Sequence, residues 1–242
     1  MKEFWPGIPD SPIVIWTCSN ESFYNGYQKV IEDYPKVNFK YQNQWEFKIL
    51  VVESVLPEKP YTVFFVDDLV FKNPFSMSSE EFKTFQKSED ILCLSLRLHP
   101  YLTYCYTMNI PMRMPQYLEG RLRIWEWKKE AADFGYPMSV DAHLYRTSDL
   151  IEIISKGNYV HPGEFENALL TAVPNRPKMI CFEDSKIVNI PVNRVGPYPN
   201  RYGNIRQDYL NDEYLKGRRI SLKTVKGFKN ISCHQEIDLQ WE

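Results

Sequence analysis

The sequence predicts an α/β protein. Its first hundred residues build a mostly parallel sheet with covering helices, and the remainder forms a smaller α+β half. Two observations predict this. Short apolar, β-rich runs alternate with helical patterns through the first half, and beyond Pro100 that alternation gives way to prolines, aromatic residues and longer strand-like stretches. Length agrees: 242 residues, at roughly 150 per domain, suffice for one sizeable core. No repeat, low-complexity tract or polar linker divides the chain, so a single domain over 1–242 is the simpler organisation, with halves at about 1–100 and about 101–242.

The elements follow in order. Residues 13–17 read as the first strand and 21–33 as its helix. Residues 61–66 are apolar on both faces, as a central strand would be, and a helix over 79–87 comes next. Its start is marked by Ser78 and Glu81 at capping-box spacing, after which Phe82 and Phe85 share one face. Residues 91–98 form the third strand. In the second half, 122–127 and 138–146 read as strands. Along 138–146, Ser139, Asp141, His143 and Tyr145 alternate with Val140, Ala142 and Leu144, which predicts one polar face. Helices over 148–156 and 164–173 follow, the latter with Phe165, Ala168, Leu169 and Ala172 at the spacing of a buried stripe. Strands at 179–183 and 187–190 lead to residues 191–204, whose Pro, Gly, Tyr and Asn content suits a loop over a site.

Composition excludes several classes. A chain that is 43% hydrophobic and 15% aromatic is not disordered. With 29 Lys+Arg against 31 Asp+Glu, the net charge of −2 supplies no global field to attract nucleic acid or an acidic membrane. The longest apolar runs, such as Val63-Phe64-Phe65-Val66, fall far short of the ~20 residues that span a bilayer. The start, Met1-Lys2-Glu3-Phe4-Trp5-Pro6-Gly7, lacks the apolar segment of a secretory signal. The cysteines (18, 93, 105, 181 and 233) are odd in number and form no C-x-x-C pair, so they read as reduced, buried thiols of a cytoplasmic protein. The glycosylation-like Asn20-Glu21-Ser22 and Asn230-Ile231-Ser232 are discounted for the same reason. Dinucleotide, P-loop and zinc-enzyme readings find no motif.

Chemistry concentrates at strand ends. The run Thr62-Val63-Phe64-Phe65-Val66 stops abruptly at Asp67-Asp68, and in open α/β sheets ligands bind at such ends. Adjacent carboxylates repel, so a fold that gathers them supplies a cation or caps a helix with them; an acidic turn is the plainer alternative. The first strand runs into Thr17-Cys18-Ser19-Asn20, and the third delivers Arg97 and His99.

On these residues the chain resembles the GT-A nucleotide-sugar glycosyltransferases, which have a start like Ile13-Val14-Ile15-Trp16-Thr17, a mid-domain strand ending in acids and a later acid at a helix start. Ser95-Leu96-Arg97-Leu98, the stretch from Gly135 to His143, Glu164-Phe165-Glu166 and Cys233-His234-Gln235-Glu236 are similar to small glycosyltransferase domains of large algal viruses and bacteria. The resemblance spans nearly the whole chain. It implies a GT-A-like α/β/α sandwich and a hexosyltransferase-type enzyme that moves a sugar, from a UDP-sugar as first expectation, to a hydroxyl of a glycan acceptor.

In that family, acids of a DxD motif hold a divalent cation on the donor diphosphate, whose charge grows as the glycosidic bond breaks. Here the position two before Asp68 is Val66, so the resemblance implies Asp68 as metal ligand and Asp67 on the metal's water or the ribose. It implies His234 as a late ligand, and oxygen with imidazole favours Mn²⁺ over Mg²⁺. Thr17, Cys18, Asn20, Asp67 and Arg97 fall on the donor side. An inverting transfer needs a base, for which Glu166 fits and Asp141 competes. Plainer accounts stand beside each: a structural histidine, an acid matching a helix dipole, a polar strand face. Arg97 could pair with Asp67 or Asp68, and Trp125 or Trp127 could stack on a sugar. The basic Lys216, Arg218, Arg219, Lys223, Lys226 and Lys229 could hold a diphosphate or form a solvated face. A sugar nucleotidyltransferase and a non-catalytic carbohydrate-binding domain are the rivals. Against the first, Cys18-Ser19-Asn20-Glu21-Ser22 lacks the glycines and lysine of a phosphate loop.

Overall fold

The computed structural model describes residues 3–6, 12–43, 45–118, 120–192 and 201–242. Strand β1 (Ile13–Trp16) leads into α1 (Glu21–Asp33), which Asn20 caps by accepting the Phe23 N–H at 3.0 Å. Next come β2 (Asn38–Tyr41), α2 (Phe47–Ser54), β3 (Tyr61–Val63), β4 (Leu69–Phe71), α3 (Glu80–Lys87) and β5 (Ile91–Ser95). The short β6 (Tyr104–Cys105) and β7 (Ile110–Pro111) pair as a hairpin ahead of β8 (Arg123–Glu126) and β9 (His143–Arg146). Helices α4 (Thr147–Lys156) and α5 (Pro162–Thr171), strands β10 (Lys178–Cys181) and β11 (Ile187–Asn189), and α6 (Gln207–Leu215) complete the order.

The main sheet has the order β3-β9-β5-β10-β8. Strand β5 is its buried centre, apolar on both faces. On one face lie Phe47 and Val51 of α2, Leu150 and Ile153 of α4, and Phe165 and Leu169 of α5. The other face is covered by Phe82 and Phe85 of α3 together with Phe4, Trp5 and Phe75. Helices therefore lie on both sides of the strands, and the architecture is α/β.

The sheet itself corrects the expectation of a mostly parallel one. Only β5 and β10 run parallel, whereas β3–β9, β9–β5 and β10–β8 are antiparallel, which makes it mixed. Two of these antiparallel pairings arise because β9, from the second half of the chain, inserts between β3 and β5 of the first, and the third because β8 adds antiparallel beside β10. The strand expected to be central over 61–66 is a short edge strand, Tyr61–Val63. Parallel pairing through a helical crossover survives in β1–α1–β2, but those two strands form a separate sheet.

Local differences have local causes. The strand expected over 138–146 begins only at His143, because Ala142 takes a left-handed φ of 56°. Its N–H donates to Phe64 O at 2.9 Å and its carbonyl accepts from Leu96 N at 3.0 Å, so the kink is held from both sides. The expected polar face does not exist: Ser139, His143 and Tyr145 are all buried. The cap of α3 is Ser79, whose hydroxyl accepts the Phe82 N–H, and not Ser78. Helix α5 starts earlier than expected, with His161 as cap and Pro162 in its first turn. Of the expected loop over 191–204, residues 193–200 lie outside the described ones. No helix among the described residues is long and apolar enough to cross a membrane.

Candidate active site

Three chain segments far apart in sequence meet at the end of β11. The turn after Phe65 places Asp67 and Asp68 just before β4, which pairs antiparallel with β11. The Ile190 N–H donates to Asp68 O at 2.9 Å, and the Asn189 amide donates to Asp68 Oδ1 at 3.1 Å. On its other side Asn189 brackets His234: its N–H donates to Cys233 O, and its carbonyl accepts from Gln235 N, both at 2.9 Å. One fully buried asparagine thus holds Asp68 through its side chain and His234 through its main chain.

Asp141 is the second centre. The left-handed Ala142 turns it out of the strand, and its Oδ2 accepts from Arg97 Nη1 at 3.0 Å. The His234 Nε2 lies 3.6 Å from the same oxygen, beyond hydrogen-bonding range. Arg97 is only 3% exposed, and its Nη2 binds Asp133 at 3.1 Å. Burial works against its charge, but neighbouring groups led by Cys233, Asp141 and Asp133 outweigh it and hold the guanidinium protonated. Arg97 therefore pairs with Asp133 and Asp141 instead of Asp67 or Asp68, and would act on a ligand through Asp141.

The carboxylates around Asp141 are held in their neutral direction. Burial, then the Asp141 charge, pushes the Asp68 carboxyl up to about 7 despite the Asn189 hydrogen bond. Burial and Asp141 likewise raise Glu166. Glu166 sits in the second turn of α5, so the dipole account belongs to Glu164, the first-turn acid that accepts the Val160 N–H. Glu166 instead reaches across to accept the Val140 N–H at 3.1 Å and the Tyr136 hydroxyl. His234 is shifted down, first by burial and then by Arg97, which favours the neutral imidazole.

A divalent cation can be tested against this arrangement. Among the described residues no cluster of three or more His, Cys, Asp and Glu forms a metal site by itself. Yet the charges of Asp141 and Asp67 both act on Asp68, and the buried Asn189 Oδ1 has no hydrogen-bond partner. A surplus of acceptors beside a neutral imidazole fits a cation that takes its remaining ligands from phosphate and water.

The other expected residues are dispersed. Thr17 is exposed at the end of β1, Cys18 is half-buried, and the Asn20 side chain is engaged in capping α1. Tyr27 of α1 joins this rim to the acids: burial, then Asp67 and Cys18, lifts its hydroxyl to about 12. His99 belongs elsewhere, buried near Lys72, with its imidazole lowered to about 4 by burial and that ammonium. Trp125 is fully buried and donates to Phe134 O, while Trp127 lies in a short 3-10 turn and donates to Arg176 O, so both are packing residues. The basic tail is largely paired: Lys216 and Arg218 with Glu213, Arg219 with Asp33, Lys226 with Glu3, Lys229 with Asp184. A cleft of about 830 Å³ runs between α4 and α5 and is lined by none of the expected site residues. Sequence reasoning missed Asn189, Asp133 and Tyr136. A polar residue ending the apolar run Ile187-Val188-Asn189 was the available signal for the first.

Comparison with known proteins follows the same direction. The chain aligns with the bifunctional glycosyltransferase pgtA of Dictyostelium discoideum at 27% identity over 209 residues. That relative is named for sugar transfer. The match covers 75% of this chain and 27% of the relative, so the chain spans about a quarter of that protein's length. No family model matches the chain, and no solved structure matches it significantly.

Proposed function

We propose that the chain is a GT-A-like glycosyltransferase, a single unit that moves a hexose from a UDP-sugar to a hydroxyl of a glycan acceptor with inversion. The observation that carries this reading is a buried asparagine with an unpartnered oxygen that joins Asp68 to the His234 segment, with His234 in turn 3.6 Å from Asp141. The likeness to a glycosyltransferase supports it independently. Five free cysteines agree with a reducing, cytoplasmic setting.

In this reading Asp68 and His234 hold a divalent cation, Mn²⁺ in preference to Mg²⁺. When bound, the cation offsets the charge that develops on the leaving diphosphate. Thr17, Cys18, Asn20 and Asp67 lie along the donor, with Asp67 on its ribose or on a water. Asp141, fixed by Arg97, accepts hydrogen bonds from sugar hydroxyls. Glu166 takes the proton of the acceptor hydroxyl as its oxygen bonds to the anomeric carbon and the bond to the diphosphate oxygen breaks. A carboxyl raised by burial is a better base than an exposed one, since base strength grows with pKa.

Titration of UDP with and without Mn²⁺, followed by tryptophan fluorescence, tests the reading. Wild type is expected to bind UDP at least tenfold more tightly with the metal, and Asp68→Ala to lose that gain. UDP affinity that ignores both metal and substitution would overturn it.

A further inference from the structure

A second cleft, about 390 Å³, lies beside the proposed site and is lined by Ile205, Tyr209, Glu236, Ile237, Asp238, Leu239 and Trp241. Its chemistry is mixed in a particular way. Tyr209 of α6 and Trp241 meet edge to face with ring centroids 5.8 Å apart, and Tyr209 is 48% exposed. Glu236 and Asp238 are exposed carboxylates on the same segment, while Ile237 between them is buried against Val188 and Ile190. His234 is two residues before Glu236, and its segment is pinned to β11. The cleft is thus continuous along the backbone with the proposed metal ligand.

Glu236 is already oriented. Tyr106 donates its hydroxyl to Oε1 at 2.8 Å, and Asn204 places its main-chain N–H and side-chain amide near Oε2, each at 3.4 Å. Helix α6, which supplies Tyr209, is held against α1 by a close approach. The Asn211 amide donates to the Ser22 hydroxyl at 3.1 Å, and a Cβ on Gly26 would fall 1.9 Å from Asn211 Oδ1. The aromatic wall is therefore fixed by the helix that follows β1.

We propose that this cleft binds a second pyranose ring of the acceptor glycan, the ring next to the one that receives the transferred sugar. An apolar sugar face packs on Tyr209 and Trp241, and its equatorial hydroxyls donate to Glu236 and Asp238. Aromatic faces beside carboxylates that can only accept hydrogen bonds suit a neutral polyhydroxyl ligand. The inference rests on the transferase reading above, and it makes the acceptor a disaccharide or longer.

The test uses the full chain saturated with UDP and Mn²⁺. Methyl glycosides of glucose, galactose, N-acetylglucosamine, mannose and xylose, and β-linked disaccharides of each, are titrated while the Trp241 indole N–H resonance is followed. That resonance is assigned by its loss in Trp241→Phe. At least one disaccharide is expected to shift it and to bind fivefold or more tightly than its monosaccharide, and Asp238→Ala is expected to remove that advantage. A Trp241 resonance unmoved by every disaccharide, or equal affinity for the two sizes, would overturn the proposal. The readout in wild type stands even if a variant folds poorly. Failure of UDP binding beforehand marks failure of the transferase reading instead, and with it of this one.

Discussion

Asp133 and Asp68 are both carboxylates drawn out of water, and they keep different company. Asp133 is 6% exposed and lies against the buried Arg97, which also binds Asp141. There a negative charge was buried together with a positive one. Asp68 has an amide donor in Asn189 but faces two further acids, and its carboxyl rises to about 7. The first region is a strut in which one guanidinium ties two carboxylates together. The second is held in a conformation that a proton or a cation would relieve, and that difference is what distinguishes a binding site from buried polar scaffolding.

The sharpest way to break the contrast is Arg97→Met. Removing the shared cation leaves the buried Asp133 and the half-buried Asp141 without it, which costs about 3–5 kcal/mol. In a chain of this size that lowers Tm by about 6–20 °C, measurable by thermal and urea unfolding. A loss near zero would mean that the acids do not depend on Arg97.

Asp68→Asn is expected to act in the opposite direction. The folded carboxyl titrates above its unfolded value, so the folded state holds the proton more tightly and stability falls as pH rises from the ordinary carboxylate range through about 7. The variant lacks this decline. At pH 8, without metal, it should be more stable than wild type by on the order of 2 kcal/mol after allowing for partial exposure, with the advantage gone near pH 4. Unfolding midpoints across pH decide it; a variant no more stable at pH 8 would show that Asp68 is not strained.

Asn189→Ala probes the junction itself. It removes the donor to Asp68 while the backbone bonds to Cys233 and Gln235 remain available. Loss of an outer partner of a metal ligand typically weakens the metal by about 10–100-fold, and Mn²⁺ titration of the UDP complex reads that directly. At the smallest end is Lys226→Ala, which deletes an ion pair with Glu3 whose side chains are 61% and 54% exposed. Such pairs contribute about 0–1 kcal/mol, so Tm and UDP affinity should barely move. A large loss of UDP affinity would give the basic tail a role in holding phosphate.

What was legible in the sequence followed from local rules. Helix α1 matches its expected span because Asn20 offers a cap and the pattern after it is regular. The acid pair was visible as an abrupt break in an apolar run, but the strand expected to carry it stops at Val63, and Asp67 and Asp68 lie in a turn ahead of β4. What was not legible depended on partners elsewhere. Residues 138–142 alternate like a strand, but the Phe64 carbonyl and the Leu96 amide hold Ala142 in a left-handed turn, and Asp141 owes its position to that turn. The mixed sheet could not be foreseen because β9, remote in sequence, enters between two strands of the first half. Glu166 was chosen for a place in the first turn of a helix and in fact occupies the second; its reach across to Val140 is a tertiary contact that no local pattern encodes.

The Asn189 junction also makes binding depend on assembly. The partners it joins are far apart along the chain, Asp68 and Asn189 alone being separated by 121 positions, and closing a long loop costs entropy that only later contacts repay. The junction exists only when the segments of Asp68, Asn189 and His234 are in place together, so competence to bind a cation would report an assembled chain and not a local fold.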